Sequence, residues 1–248
     1  MEKYDDYLAW KDWRAGSFGT YTRDQALYYR KILKKAGTPA GSNVCELGFG
    51  NGPLLGYLRD NGYEPTGTEI QQHLLKRAEE LKFRVGNSIN ELGLNHPQHL
   101  IVMLDVLEHV EQKDVVPFLK NLATFLGGNG KIVLTFPNGD SPFGLPYQNG
   151  DITHVTTIGS GKLHYFARAA GFEVEYCGAE LAPLLSGSAG KILKRLIGLP
   201  LRTLLTIVLR NFFQIAISSS FFSPNLMAVL RKPPDTVHTT GHAGTAGG

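Results

Sequence analysis

The chain has 248 residues, of which 42% are apolar and 19% charged, and this composition excludes an intrinsically disordered protein. The formal net charge of +3 is too small to indicate nucleic acid as a partner. The charge is unevenly placed, because the segment between Glu180 and Asp235 holds seven basic residues and no acidic one. We therefore expect this segment to meet an anionic surface or ligand.

The cysteines and the first residues indicate a cytoplasmic protein. Cys45 and Cys177 each lie in an apolar run and have no metal-ligand spacing. We expect both to be buried thiols in a reducing compartment. Residues 1–13 are acidic and aromatic and lack the apolar core of a signal peptide.

Strands and helices are predicted to alternate along most of the chain. A first helix over 22–36 has Thr22 or Asp24 as a candidate cap and Gly37 as its stop. The alternation that follows implies a parallel sheet with helices on both faces and right-handed crossovers. The predicted strands cover residues 43–48, 64–69, 83–86, 99–104, 131–136, 172–177 and 226–230, and the later predicted helices cover 52–61, 71–81, 114–125 and 161–170.

The same pattern divides the chain into regions. The main α/β domain is predicted over 37–180 and 225–232, interrupted by an apolar and basic helical insert at 181–224. Residues 233–248 are rich in Gly, Thr and His and are expected to be a disordered tail. Residues 1–36 combine the first helix with aromatic and basic residues that would form a lid over a site or dock on the core. These lid residues are Tyr4, Tyr7, Trp10, Lys11 and Trp13.

Three alternate glycines follow the first strand, in the run Glu46-Leu47-Gly48-Phe49-Gly50-Asn51-Gly52. Ligands of open parallel sheets bind at the carboxyl ends of the strands, and glycine lets a ligand approach the backbone closely. Glu46 is placed to accept from an ammonium group, directly or through water. Glu69 ends the second strand, where a ribose hydroxyl pair would be bound. The spacing of these glycines differs from the dinucleotide-binding pattern G-x-G-x-x-G, so a ligand without a phosphate group is expected.

This run resembles the first motif, E/D-x-G-x-G-x-G, of the class I S-adenosylmethionine-dependent methyltransferases. Glu69 resembles the ribose-binding acid of that family, and Asn87 and Ser88 lie where the family usually has an adenine-binding Asp. Residues 105–110 resemble its segment after the fourth strand. The resemblance implies a Rossmann-like seven-stranded sheet with an antiparallel last strand. It also implies S-adenosyl-L-methionine as cofactor, contacted by Glu46, Gly48, Gly50, Glu69, Ile70, Asn87, Ser88 and Asp105.

Asp105, Glu108 and His109 form an acid–histidine cluster after the fourth strand. Two carboxylates and an imidazole are suitable ligands for a divalent cation. A related D/E-x-x-E-H arrangement binds metal in the ubiquinone-pathway and small-RNA O-methyltransferases, so Mg²⁺ or Mn²⁺ is a candidate. The alternative is that Glu108 and His109 only hydrogen-bond the loop.

Asp151-Ile152-Thr153-His154 follows a loop rich in Pro, Gly, Tyr and Asn. A similar D-x-T-H, followed by a helix and Ala-Gly-Phe, recurs in methyltransferases of glycan and lipid gene clusters. His154, with Asp151 and His109, is the predicted catalytic group, because a histidine can take a hydroxyl proton near neutral pH. The alternatives are a metal ligand beside His109, or a pair in which Asp151 and His154 only cap the loop.

The insert contains the run 191–222, which is aliphatic and basic. Arg202, Arg210 and Pro200 interrupt it, so a membrane span is not predicted. It fits a helix in the interface of an anionic membrane, and the competing interpretation is a subdomain that covers the substrate or contacts a second subunit. Its basic residues are Lys191, Lys194, Arg195, Arg202 and Arg210.

Together these features predict an O-methyltransferase acting on a glycan or lipid-linked acceptor, in the cytoplasm or at the inner face of the membrane. A small-molecule quinone or phenol O-methyltransferase is the enzymatic alternative, and a metal requirement would be its signature. A catalytically inert, membrane-associated module with the same fold is the alternative from another class.

Overall fold

The computed structural model of the protein describes residues 17–181, 189–213, 218 and 220–234. The candidate lid residues and the tail from residue 235 lie outside the described residues, as does part of the predicted insert.

Seven strands build the sheet, and they match the predicted positions closely. Their order across the sheet is third, second, first, fourth, fifth, seventh, sixth. In chain order they are β1 (Asn43–Leu47), β2 (Glu64–Thr68), β3 (Arg84–Gly86), β4 (Gln98–Leu104), β5 (Leu126–Pro137), β6 (Glu173–Ala179) and β7 (Asn225–Arg231).

Strands β1 to β5 pair in parallel, and β7 lies antiparallel between β5 and β6. The predicted α/β fold with a seven-stranded, Rossmann-like sheet and an antiparallel last strand is therefore confirmed. One boundary was wrong: β5 begins at Leu126 rather than at residue 131. Leu126 already pairs with Gln98, across an irregularity in the register.

Seven α-helices are described. Two of the connections also contain 3₁₀ turns, at Ile89–Leu92 and Leu107–His109. The helices are α1 (Arg23–Ala36), α2 (Pro53–Asp60), α3 (Gln72–Glu80), α4 (Val115–Phe125), α5 (Leu145–Asn149), α6 (Ser160–Ala169) and α7 (Ala189–Phe212). The short α5 was not predicted, because its proline-containing sequence was interpreted as loop.

Local chemistry explains where α1 begins and ends. Thr22 is the cap: its side chain accepts from the backbone N–H of Gln25, and the Gln25 side chain accepts from the backbone N–H of Thr22. This reciprocal pair satisfies two backbone donors that the first helical turn leaves open. Gly37 ends the helix with φ 69°, a left-handed conformation that costs glycine little.

Alternate residues of the central strands face opposite sides of the sheet, so each strand contributes to two cores. Val44 and Val102 pack with α1 and α2 on one face. Cys45 and Met103, one position along each strand, pack with α4 and α6 on the other. Because side chains on a strand alternate, this two-sided burial requires continuous apolar strands. Cys45 is buried as expected, whereas Cys177 is only half-buried.

The long helix α7 lies in the predicted insert, between β6 and β7. Within the described residues, no helix combines the length and the apolar character needed to cross a membrane. The chain after α7 returns to the sheet through residues 220–224, which bond Asn138 at the end of β5. The Asn138 side chain donates to the carbonyls of Ser220 and Ser223, each at 2.9 Å.

Candidate active site

A cleft of about 760 Å³ opens where the carboxyl ends of the parallel strands meet. This is the edge of an open α/β sheet at which ligands bind. Its walls come from the segments that follow β1, β2, β3 and β4 and from the loop after β5. Among its lining residues are most of the predicted site residues: Gly48, Gly50, Glu69, Ile70, Asn87, Ser88, Asp105, Glu108, His109, Asp151 and His154.

The glycine turn after β1 forms one wall of the cleft. Gly48, Gly50 and Gly52 all have positive φ, at 71°, 53° and 70°. A Cβ at Gly48 would lie 2.9 Å from Cγ2 of Val106, so a larger residue would have to displace the loop after β4. Glycine is therefore required at Gly48 both for its conformation and for the close approach of Val106.

The carboxylate of Glu69 organises the turn from β2 to α3. One oxygen accepts from the backbone N–H of Gly50 at 3.0 Å. The other accepts from the N–H groups of Ile70 and Gln71, at 2.9 and 3.2 Å. Because a carboxylate offers about four acceptor positions, it can hold this turn and still receive a hydroxyl donor from the cleft.

Three further predicted contacts border the same part of the cleft. The side chain of Ile70 is 60% exposed although it is apolar, and it therefore presents a flat hydrophobic surface to a ligand. Asn87 accepts from Gln72 at 2.6 Å and donates to Glu91 at 3.2 Å, so its amide is held in one orientation. Ser88 lines the cleft beside it.

Glu46 is not among the residues that line the cleft, and its contact with an ammonium group, directly or through water, stays a prediction. Its side chain is buried, and the backbone N–H of Leu55 in the first turn of α2 hydrogen-bonds to it. Helix α2 has Gly52 as its cap, which offers no side chain, so Glu46 supplies the missing acceptor. Burial and the neighbouring Glu69 raise the pKa of Glu46 well above its ordinary value.

Asp105 lies at the cleft but outside the acid–histidine cluster in which it was predicted. Its backbone has φ 56°, and its carboxylate accepts from the Thr135 hydroxyl at 3.1 Å. The predicted grouping of Asp105 with Glu108 and His109 is therefore wrong for Asp105. The left-handed conformation of Asp105 turns its side chain toward Thr135 of β5 instead.

The cluster that forms contains Glu108, His109 and His154. One ligand atom from each residue lies within 4.8 Å of the others. The two imidazole rings meet edge to face with their centroids 4.7 Å apart. Nε2 of His154 lies 3.8 Å from Oε1 of Glu108 and 3.9 Å from Oδ2 of Asp151. The Glu108 side chain is fully buried, so a carboxylate lies under the cleft floor beside two titratable rings.

Backbone bonds hold the two parts of this cluster together across the sequence. The N–H groups of Val155 and Thr156 both donate to the carbonyl of Glu108, each at 3.0 Å. The Thr156 hydroxyl donates to the carbonyl of Val110 at 2.6 Å. The D-x-T-H loop is therefore attached directly to the 3₁₀ turn after β4, which places His154 beside His109.

Thr153 links Asp151 to His109 and was not among the predicted site residues. Its hydroxyl donates to Oδ1 of Asp151 at 2.5 Å and lies 2.9 Å from Nδ1 of His109. Since its one proton goes to Asp151, the hydroxyl accepts from Nδ1–H of His109, and the remaining lone pair of the imidazole is on Nε2. The position of Thr153 within D-x-T-H was the available signal for this role.

Hydrogen bonding keeps Asp151 charged despite its burial. Burial raises the pKa of this carboxyl, but the side-chain and backbone hydrogen bonds from Thr153 and the nearby His154 and His109 outweigh it. The net result is a pKa below the ordinary value. Asp151 is therefore an anion at neutral pH and stabilises positive charge on either imidazole.

A second polar group adjoins Asp105 and was not predicted either. Glu180, just after β6, accepts from the Asn225 side chain at 3.1 Å and hydrogen-bonds Tyr28 of α1. Burial raises the pKa of Glu180, and the nearby Asp105 raises it further, against the effect of its hydrogen bonds. No local motif marks these residues, because α1, β6 and β7 are brought together only by the sheet order.

Comparisons with known proteins agree with this fold. A search of solved structures finds a SAM-dependent methyltransferase from Archaeoglobus fulgidus, with a TM-score of 0.62 and 18% identity, covering 92% of this chain and 100% of that one. N-methyltransferase NodS from Bradyrhizobium japonicum has a TM-score of 0.53 and 14% identity, covering 84% and 96%. The cyclopropane synthase MmaA2 from Mycobacterium tuberculosis has a TM-score of 0.55 and 12% identity, covering 84% of each chain.

At these identities the solved structures establish the fold. No match was found among curated proteins. The family described as "Methyltransferase domain" matches residues 21–176, which is more than half of the chain and includes the glycine turn, Glu69, the Glu108–His109 turn and the D-x-T-H loop. The chain therefore belongs to this methyltransferase family and is an S-adenosylmethionine-dependent methyltransferase.

Proposed function

We propose that the protein transfers the methyl group of S-adenosylmethionine to a hydroxyl oxygen of a glycan or lipid-linked acceptor. The observation that carries this proposal is the histidine pair at the cleft, which lies over buried Glu108 and is connected to Asp151 through Thr153. A hydroxyl must lose one proton as its oxygen is methylated, and such a group suits that task.

The cleft fits the cofactor. Glu69 would hold the ribose hydroxyls, Ile70 would cover one face of the adenine, and Asn87 and Ser88 would lie at its edge. Gly48 and Gly50 line the cleft without side chains and would leave room for the methionine portion. When bound, S-adenosylmethionine supplies an electrophilic methyl group on its sulfonium sulfur.

His154 is the proposed general base. Its side chain is 10% exposed, and no hydrogen-bond partner for its Nδ1 lies among the described residues. When His154 takes the hydroxyl proton, the Glu108 and Asp151 carboxylates near 4 Å stabilise the resulting cation. His109 is the positioning partner, because Thr153 fixes its tautomer and the ring edge packs on His154.

A metal-dependent form of the same reaction is the second candidate. Glu108, His109 and His154 are three ligands whose contacting atoms need to move little to meet one ion. One carboxylate and two imidazoles suit Mn²⁺ better than Mg²⁺, which prefers oxygen ligands. An ion there would polarise the acceptor hydroxyl and would exclude His154 from acting as a base. This form is the one we would associate with a quinone or phenol acceptor.

The test is a transfer assay with methyl-labelled S-adenosylmethionine against a panel of glycans, lipid-linked glycans, phenols and amines. We expect label on an oxygen of a glycan or lipid-linked acceptor. His154→Ala should lower turnover about 10²-fold or more, whereas His164→Ala, an exposed histidine on α6, should leave it unchanged. Label on nitrogen, or normal turnover in His154→Ala, would contradict the proposal. Failure to bind S-adenosylmethionine would contradict the proposal as well.

A further inference from the structure

Helix α7 exposes an unusually large apolar surface. Leu193, Ile197, Leu201 and Leu204 follow one another at spacings of four, four and three residues, so they share one face of the helix. Their exposed fractions are 58%, 61%, 63% and 58%. Among the described helices and strands, none packs extensively against α7. Soluble proteins rarely leave a continuous apolar patch of this kind in water unless it binds something.

The charge of the same region identifies what it can bind. Lys194 and Arg202 are exposed on α7, outside the Leu193–Leu204 face. No acidic residue occurs from residue 181 to residue 234. Two copies packed through this region would bring like charges together, which disfavours a dimer through α7. An anionic lipid surface complements both the apolar face and the basic side chains.

A second apolar surface lies in the segment that borders the cleft after β5. Between the end of β5 and the start of α6, Phe143, Leu145, Tyr147 and Ile152 are 48%, 47%, 56% and 85% exposed. Tyr147 also lines the cleft, and Ile152 lies inside the D-x-T-H run. We call these four residues the apolar rim.

The apolar rim is joined to the chain that returns from α7. The ring of Phe143 meets those of Phe221 and Phe222 at centroid distances of 6.2 and 5.7 Å. The Ser141 hydroxyl donates to the carbonyl of Phe221. The return segment of the insert is thus anchored to the loop that borders the cleft.

We propose that α7 and the apolar rim form one surface that docks on an anionic membrane and receives the acceptor from the lipid. The inference that the acceptor is lipid-linked rests on the proposed function, but the inference that the protein docks on a membrane does not. A membrane-bound enzyme would meet an acceptor whose apolar part stays in the bilayer while its hydroxyl enters the cleft. The exposed rim side chains then replace water contacts with lipid contacts at the cleft mouth.

The first experiment measures binding to vesicles by cosedimentation of the full chain. We expect the protein to sediment with vesicles of one part phosphatidylglycerol to two parts phosphatidylcholine, and to bind phosphatidylcholine alone weakly. Lys194→Gln/Arg202→Gln should lower the partition coefficient by about 25-fold, since each basic residue near such a surface contributes about a fivefold factor. The matched control Lys76→Gln/Lys113→Gln makes the same charge change at exposed positions elsewhere and should bind as the wild type does.

The second experiment asks which surfaces enter the lipid. An environment-sensitive fluorophore on Leu201→Cys or Ile152→Cys should shift its emission to the blue on the anionic vesicles. The emission of the same label on Glu64→Cys, at the amino-terminal end of β2 and away from the cleft, should not shift.

The vesicle-binding and fluorescence results distinguish membrane docking from its alternatives. A folded protein that ignores anionic vesicles, or a stable dimer lost in Leu201→Ser/Leu204→Ser, would overturn the proposal. A shift at Leu201→Cys without one at Ile152→Cys would overturn the part that assigns the apolar rim to the membrane. None of these measurements needs turnover. A negative result here is therefore distinct from a failure of the methyltransfer proposal. That proposal is tested separately, by calorimetric binding of S-adenosylmethionine and by the transfer assay.

Discussion

The hydroxyl of Thr153 lies 2.9 Å from Nδ1 of His109, and the two residues are 44 positions apart in sequence. The same hydroxyl donates to Asp151, so its lone pairs accept from the imidazole. This arrangement fixes which nitrogen of His109 carries the proton. It also ties the D-x-T-H loop to the turn after β4, which is the relationship on which the proposed chemistry depends.

Replacing Thr153 with Val should therefore disturb the histidine pair without removing either histidine. Val keeps the shape but cannot connect Asp151 to His109, so we expect turnover to fall about 10-fold or more, within the range of general acid–base effects. Thr153→Ser should restore most of the activity. The measurement is the pH profile of kcat for both variants. A purely structural role would lower stability in Thr153→Val but leave the pH at which activity rises unchanged.

Glu69→Ala should weaken cofactor binding. A ribose hydroxyl loses a charged acceptor, and such a hydrogen bond contributes about 1–3 kcal/mol. Calorimetry with S-adenosylmethionine measures this loss directly. Glu64→Ala, at the exposed start of the same strand, is the control and should bind normally. Unchanged affinity in a folded Glu69→Ala protein would remove Glu69 from the cofactor site.

Chelation distinguishes the two forms of the reaction. If Glu108, His109 and His154 hold a metal, excess chelator should abolish turnover and Mn²⁺ should restore it better than Mg²⁺. If His154 is a base instead, activity should survive the chelator. Metal analysis of the purified protein, compared with Glu108→Gln, provides the readout that does not depend on activity.

Asp151 should stabilise the folded protein at neutral pH, and this stabilisation should be lost in strong acid. Its pKa is lowered in the folded protein from an ordinary value of 3.8, so its charged form is stabilised by folding. This stabilisation is fully present above pH 3.8 and is lost as the pH falls through the lower folded value. Urea unfolding of wild type and Asp151→Asn should therefore differ at pH 7 and converge in strong acid. A difference between wild type and Asp151→Asn that stays constant as the pH falls would refute the assignment.

Much of the fold and part of the candidate site follow from the sequence alone. Apolar runs such as those around Val44 and Val102 predict buried parallel strands, because only a sheet covered on both faces buries every residue of a strand. The glycine run and Glu69 then mark the carboxyl edge of that sheet, where the structure places its cleft. These signals are local, so each can be recognised within a few residues.

Other features were decided only by the tertiary structure. Asp105 and Glu46 carry the expected chemical groups, but a left-handed backbone turns Asp105 toward Thr135, and Glu46 is buried beside the start of α2. The pairing of His109 with His154 requires the loop after β5 to bond the turn after β4. Sequence specifies which groups are available and which strand each one follows. Their distances and directions depend on backbone conformation and on contacts between distant segments, which no local pattern encodes.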